Sequence, residues 1–243
     1  FLFGFAFGVL WWGRFSDIYG RKPGIYLGLG LYMLASLGCY FASSIEMLLL
    51  MRFLQAVGAS VGSVLGQAIA RDAIASEDRG RAFSMVSIAM AFAPALGPII
   101  GGFVVHYAAW NIVFLVLFVL AAFIVSQTAL FLPETNANIG KTNTNASLML
   151  TCLKKMAFDS QILGFGLLVG GVNGILFGYF AESPFFFIDS LGLNSSTYGL
   201  LAFVICFPLA LGGMISKRMH AKQYTANQII FWGINTIIAG SAI

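Results

Sequence analysis

Gly13-Arg14-Phe15-Ser16-Asp17-Ile18-Tyr19-Gly20-Arg21-Lys22-Pro23 is a dense knot of charge and glycine between two long apolar stretches. Only 9% of the 243 residues are charged, so four charges within nine positions need a reason. The flanks supply one. Hydrophobic residues make up 59% of the chain and its mean hydropathy is +0.90. Soluble domains average about 45–50% apolar and about 25% charged. Both departures point to a chain that crosses a membrane repeatedly, with the knot as a turn between two crossings.

A crossing helix needs roughly 20 apolar residues. Eight candidates stand at 1–12, 24–45, 47–70, 82–105, 111–132, 161–181, 199–216 and 225–243. A soluble core helix can be apolar all round, but not eight in succession with such short links. Residues 1–12 have neither a basic n-region nor a small-residue cleavage site, and are not read as a signal peptide. The chain is expected to be a piece of a longer protein, with at least one helix upstream and several downstream.

The basic residues sort by loop. Arg14, Arg21 and Lys22 lie in 13–23, and Arg71, Arg79 and Arg81 in 71–81. Lys141, Lys154 and Lys155 lie in 133–160, and Lys217, Arg218 and Lys222 in 217–224. The alternate loops near 43–46, 106–110 and 182–198 hold none, and the thirteenth basic residue, Arg52, lies inside a span. The positive-inside rule puts the four basic loops in the cytoplasm. The net charge of +4 therefore reports topology and contact with anionic lipid, not nucleic-acid binding.

The longest of these loops carries the polar run Glu134 to Asn145, which has no helical period and reads as a linker. Residues 147–158 fit a short interfacial helix. Gly213-Met214-Ile215-Ser216-Lys217 repeats two of the five residues of Gly13 to Asp17 at an offset of 200. This fits two related halves.

Cys39, Cys152 and Cys206 are scattered and odd in number, and His106 and His220 stand far apart, so neither a disulfide framework nor a metal site is expected. Asn145-Ala146-Ser147 and Asn194-Ser195-Ser196 match the short glycosylation pattern. No paired acids, nucleophile–histidine pair or phosphate loop appears in a fitting context. The chain is not read as an enzyme, and no cofactor is expected.

Four features carry the chemistry. In the knot, Gly13 and Gly20 allow close approach and tight turning. Asp17 could accept from N–H groups at a neighbouring helix N-terminus. Arg21 and Lys22 can pair with acids on the same face, and Asp72 is the expected partner of Arg21. Next, Arg52 sits inside a span, where a charge costs at least about 2.5–3.5 kcal/mol near the centre. It either faces a cavity or partner, or snorkels to the outer headgroups; Gln55 would lie beside the same cavity. Third, Ala93-Pro94-Ala95-Leu96-Gly97-Pro98-Ile99-Ile100-Gly101-Gly102 should form a bent, closely packed helix. Fourth, Gly166, Gly170, Gly174 and Gly178 line one face that another helix can approach. Gln67, Met90, Phe92, Asn173, Tyr179 and Phe180 are candidate cavity walls for varied apolar solutes, beside packing and lipid-facing readings. Glu182, at a span end, is an interfacial acid or a group that attracts cations or a proton.

The knot resembles the loop between the second and third helices of major facilitator transporters. Ile18 stands where many members have a basic residue. The resemblance implies that Gly13, Asp17, Gly20, Arg21, Lys22 and Asp72 gate the switch between outward and inward states. Arg52 to Ser60 resembles the fourth-helix motif of that superfamily, with Ala56 for the usual glycine, which implies a role for Arg52 in proton coupling. Pro94, Gly97, Pro98, Gly101 and Gly102 resemble the fifth-helix motif of drug:proton antiporters, with Ala93 for its first glycine.

With Ala70-Arg71-Asp72, Arg79-Gly80-Arg81-Ala82, Leu132-Pro133-Glu134-Thr135 and the run Phe177 to Phe185, the chain resembles the Bcr/CflA drug exporters. It would run from the second helix into the ninth. The implied fold is an all-α polytopic membrane bundle with two six-helix halves when complete. Residues 1–132 would end the first half, 133–160 would be a cytoplasmic linker, and 161–243 would begin the second half. The implied function is proton-coupled efflux of small drug-like compounds by a monomer in the bacterial inner membrane, whose partners are drug-like solutes, protons and lipid. An uptake symporter for a sugar or metabolite and a non-transporting scaffold or sensor are the alternatives.

Overall fold

The computed structural model describes residues 1–75, 86, 96–136, 139, 151 and 154–241. Helix α1 (Leu2–Tyr19) runs straight through the first half of the charged knot, and α2 (Arg21–Tyr40) starts one residue later. The expected loop 13–23 therefore shrinks to Gly20, whose φ of +106° is open to glycine and costly for other residues. Then come α3 (Ile45–Ala73), α4 (Leu96–Tyr107) and α5 (Ile112–Phe131). Residues 154–158 form a helical turn. Helix α6 (Ser160–Pro184) continues as a π-helical turn (Phe185–Ser190), followed by α7 (Ser195–Ala221) and α8 (Ala226–Ser241). Among the described residues there is no β-strand.

The starts of these helices follow their caps. Ser44 Oγ accepts from Met47 N, and Asp159 Oδ1 accepts from Gln161 N and Ile162 N. Thr225 and Gln228 exchange hydrogen bonds as a capping box ahead of α8. Asn194 Oδ1 accepts from Thr197 N at 2.7 Å, so the asparagine of one glycosylation match caps α7. Pro184 has no N–H to give the preceding turn, and the ladder widens beyond it, with Leu191 N bonding Phe186 O.

Among the described residues, four stretches are long and apolar enough to cross a membrane: α2, α3, α5 and Ser160–Ser190. The 29 residues of α3 span about 43 Å at 1.5 Å each, the thickness of a bilayer with its headgroups.

Helix α3 packs between α1 and α2, and α2 packs on α5. In lipid, helices gain little from burying apolar surface, so close packing and small residues bring them together. The buried residues of α1 are Gly4, Gly8, Trp12 and Ser16, a stripe with a spacing of four. A Cβ at Gly4 would sit 2.5 Å from Phe53 O on α3. On α2, Gly24 and Gly28 face Leu65 and Val61. Trp12, Val61 and Leu65 form the buried core, and Trp12 Nε1 donates to Val57 O at 2.7 Å.

The glycines singled out in the sequence behave differently. Among the described residues, a Cβ at Gly97, Gly101, Gly166, Gly170, Gly174 or Gly178 would meet nothing within 4 Å. The stripes that hold this bundle lie in α1 and α2. The bend expected at Pro94 and Pro98 falls at and beyond the edge of the described residues.

Gly58 and Gly62, one turn apart on α3, provide a matched test. A Cβ at Gly58 would lie 2.6 Å from Tyr32 N and 2.7 Å from Gly28 O, both backbone atoms, whereas one at Gly62 meets nothing within 4 Å. Gly58→Leu is expected to lower the stability of the full-length protein in detergent by about 1–3 kcal/mol. Gly62→Leu should leave its thermal midpoint within a degree or two.

Candidate functional site

Two polar constellations lie inside this packing, one toward each end of α2 and α3. The first gathers where α1, α3 and α5 end and α2 begins. Arg21 extends across the turn, and its side chain is only 11% exposed. Its Nε donates to Asp72 Oδ2 at 2.9 Å, and its Nη1 donates to Asp17 Oδ1 and to Ser16 Oγ. The pairing of Arg21 with Asp72, chosen from sequence, is present in the structure. Ser16 Oγ itself donates to Gly13 O at 3.0 Å. A guanidinium largely withdrawn from water is costly unless paired, and here two carboxylates and a hydroxyl meet it.

Glu134, which the sequence reading noted only within a motif, receives the start of α2. Its Oε1 accepts from Arg21 N at 2.8 Å and its Oε2 from Lys22 N at 3.0 Å. Oε1 also accepts from Thr135 N and Asn136 N. The carboxylate lies against Gly20, where a Cβ would be 2.6 Å from Oε2. Gly20 thus meets a steric demand as well as a conformational one. Gly13 does not, since a Cβ there would meet only Val64 Cγ1 at an ordinary 3.7 Å.

At the start of α2 the acceptor role that the sequence reading gave Asp17 belongs to Glu134, and Asp17 pairs with Arg21. Lys22, expected to find an acid, sends Nζ to Ala129 O near the end of α5, where the helix dipole favours a cation. Asn136 Nδ2 donates to Ser16 O and Asp17 O at 3.2 Å each. The signal available in sequence was an acid directly behind the proline that closes a span, but its partners are more than a hundred residues away.

The second constellation surrounds Arg52, two turns into α3. Its Nη1 donates to Gln55 Oε1 at 2.6 Å, and Gln55 Nε2 donates to Ser36 Oγ at 2.8 Å. Ser36 Oγ donates to Tyr32 O at 2.7 Å. The guanidinium also lies over the rings of Phe1, 4.6 Å away, and Phe114, 5.7 Å away, a cation–π geometry. Of the two readings of Arg52, the structure presents the one with a partner inside the bundle. Gln55 is fully buried with both ends of its amide engaged. It links α3 to α2 and bonds Arg52, whereas the sequence reading placed it beside the cavity that Arg52 would face. Ser36 was missed altogether.

The remaining cavity candidates lie on α3 and α6 or outside the described residues. Gln67 is exposed on α3. Asn173 is exposed and donates to Val169 O on its own helix. Tyr179 and Phe180 meet edge to face at 5.8 Å, and Glu182 is exposed. Met90, Phe92 and Pro94 lie outside the described residues. Pro98, Gly97, Gly101 and Gly102 are on α4, and Pro98 meets α7. A Cβ at the buried Gly199 would lie 2.7 Å from Pro98 O and 3.1 Å from Ile99 Cα. An apolar groove of about 430 Å³ between α2, α3 and α5 is lined by Leu29, Tyr32, Leu65, Leu117 and Ile124 among others.

A family model described as Major Facilitator Superfamily matches residues 1–243. The chain belongs to this superfamily of membrane transporters. It is a multi-pass membrane protein. A relative named as an uncharacterized transporter of Rickettsia felis is 38% identical over 221 residues, covering 91% of this chain and 54% of the relative. The chloramphenicol resistance protein CraA of Acinetobacter baumannii is 27% identical over 95% of this chain and 55% of its own length. A bicyclomycin resistance protein homolog of Haemophilus influenzae is 24% identical over 91% and 56%. The chain spans about half the length of these relatives.

The cap at Glu134 gives a pH prediction. Burial alone would push its carboxyl up, but backbone N–H groups of Asn136, Arg21, Lys22 and Thr135 outweigh this and hold it below the usual carboxylate range. A lowered folded value means that the contribution is complete above the ordinary value near 4.3 and is lost as pH falls through the lowered one. At pH 7, Glu134→Gln should cost about 0.5–1 kcal/mol, the lower part of the capping range because the site is exposed. The gap in thermal midpoint between variant and wild type should close in strongly acidic buffer. A gap independent of pH would refute the charge as its source.

Proposed function

We propose that this chain is part of a proton-coupled exporter of small drug-like compounds, of the Bcr/CflA kind, in a bacterial inner membrane. Residues 1–132 would complete a first six-helix half, 133–160 would be the linker, and 161–243 would begin the second half. The halves would rock around a midplane cavity in alternating access. The observation that carries the reading is Arg52, a permanent cation set inside a membrane-crossing helix and held in a fixed place by Gln55 and two aromatic rings. Such a charge costs several kcal/mol when misplaced, so one built in with partners suits a protein that handles protons or ions. Two relatives named for resistance to chloramphenicol and bicyclomycin support drug-like solutes.

In this reading the Arg21–Asp17–Asp72 cluster closes one end of the cavity, and breaking it accompanies the switch. Lys22, Gly13 and Gly20 share that gate. Gln67, Met90, Phe92, Asn173, Tyr179, Phe180 and Glu182 would line the solute path. Pro98 and Gly199 would mark a seam along which the halves move. Proton entry supplies roughly 2.3 kcal/mol per charge per 100 mV, plus the pH gradient.

The full-length protein in everted membrane vesicles tests this. Adding chloramphenicol or bicyclomycin should release protons from the vesicle lumen, and Arg52→Ala should lower that release at least about tenfold with folded protein still present. A broad drug panel that moves no protons through well-folded protein would overturn the export reading in favour of uptake.

A further inference from the structure

We propose that Glu134 and Asn136 are positioning residues for the Arg21 cluster: the peptide leaving α5 seats the turn at Gly20, and the guanidinium bridges Asp17 and Asp72 only while that peptide is seated. The inference deepens the export reading, which gives the cluster its gating role.

The geometry supports it from both sides of the turn. Asn136 Nδ2 donates to the carbonyls of Ser16 and Asp17, the last turn of α1. Glu134 accepts from Arg21 N and Lys22 N, the first residues of α2. A donor therefore meets the negative end of one helix and a carboxylate the positive end of the next. Lys22 Nζ returns the contact at Ala129 O near the end of α5. Arg21 is consequently held at both its ends, by Glu134 at its amide and by Asp17, Asp72 and Ser16 at its guanidinium.

Gly20 at φ +106° does not hold such a turn by itself, because glycine adopts many conformations at similar cost. Hydrogen bonds from the neighbouring peptide select this one. Asp72 lies on α3, and the hydrogen bonds of Glu134 go to α2 and to its own peptide. Its influence on Asp72 runs through Arg21. Movement of the peptide behind α5 would thus reach Asp72 without touching it.

A helix cap with no further role would destabilise α2 when removed and do nothing more. Hydrogen–deuterium exchange on the full-length protein separates the two. Wild type, Glu134→Gln, Asp72→Asn and the double variant would be compared at peptides covering 19–24 and 68–75. Glu134→Gln is expected to speed exchange about two- to fivefold at both. In the Asp72→Asn background it should add nothing at 68–75, because the bridge it acts through is already broken. Faster exchange at 19–24 alone, or additive effects at 68–75, would overturn the proposal. If Glu134→Gln does not fold, Asn136→Ala keeps the carboxylate and carries the same expectations with smaller effects. The readout needs no transport. Coupled exchange in a protein that moves no drug would leave the positioning role standing and remove the export reading. Drug-driven proton movement without coupled exchange would do the reverse.

Discussion

The backbone of α3 at Gly58 touches that of α2 at Gly28 and Tyr32, and both polar sites hang from that contact. On one side of it, Gln55 reaches Ser36; on the other, Asp72 reaches Arg21. Each is a bridge between the same two helices, and each needs its atoms within about 3 Å. Side chains as short as serine and aspartate span such gaps only where the helices are drawn together by residues without bulk. The glycines thus set the distance at which the charges can be paired.

Pairing matters because lipid offers no alternative. A charge or amide inside the membrane that loses its protein partner has no water to turn to, so partly satisfied networks are costly. The Arg52 chain is closed at every step, ending on the carbonyl of Tyr32. The Arg21 cluster lies at the end of the bundle, with Asp17 47% exposed at its side chain. Water can replace the guanidinium at Asp17 at modest cost. That difference suits a constant fixture at one site and a reversible contact at the other.

Much of this was legible beforehand. Crossing helices announce themselves through long apolar runs, since only a helix satisfies its own backbone in lipid. Arg21 and Asp72 could be matched because so few charges exist in the chain that each must find another. Gln55, expected beside a cavity, is buried with its amide bonded to Arg52 and Ser36, which polarity alone does not reveal. Packing glycines are expected at 97, 101 and 166–178; among the described residues, close approaches are seen on α1 and α2, at Gly58 and at Gly199. A spacing of four says that a smooth face exists and nothing about whether a neighbour lies on it.

What the sequence determined by itself is the solvent: its composition fixes a membrane, the one basic residue inside a span requires a partner, and its knot of charge marks a turn. What only the tertiary structure decided is who meets whom across more than a hundred residues. Glu134 at the start of α2 and Asn136 at the end of α1 are ordinary polar residues in a linker until the fold brings the end of α5 beside that turn. The reason is physical. Hydropathy is a property of each residue and can be read along the chain, whereas a hydrogen bond depends on the distance between two atoms, and folding alone sets that distance.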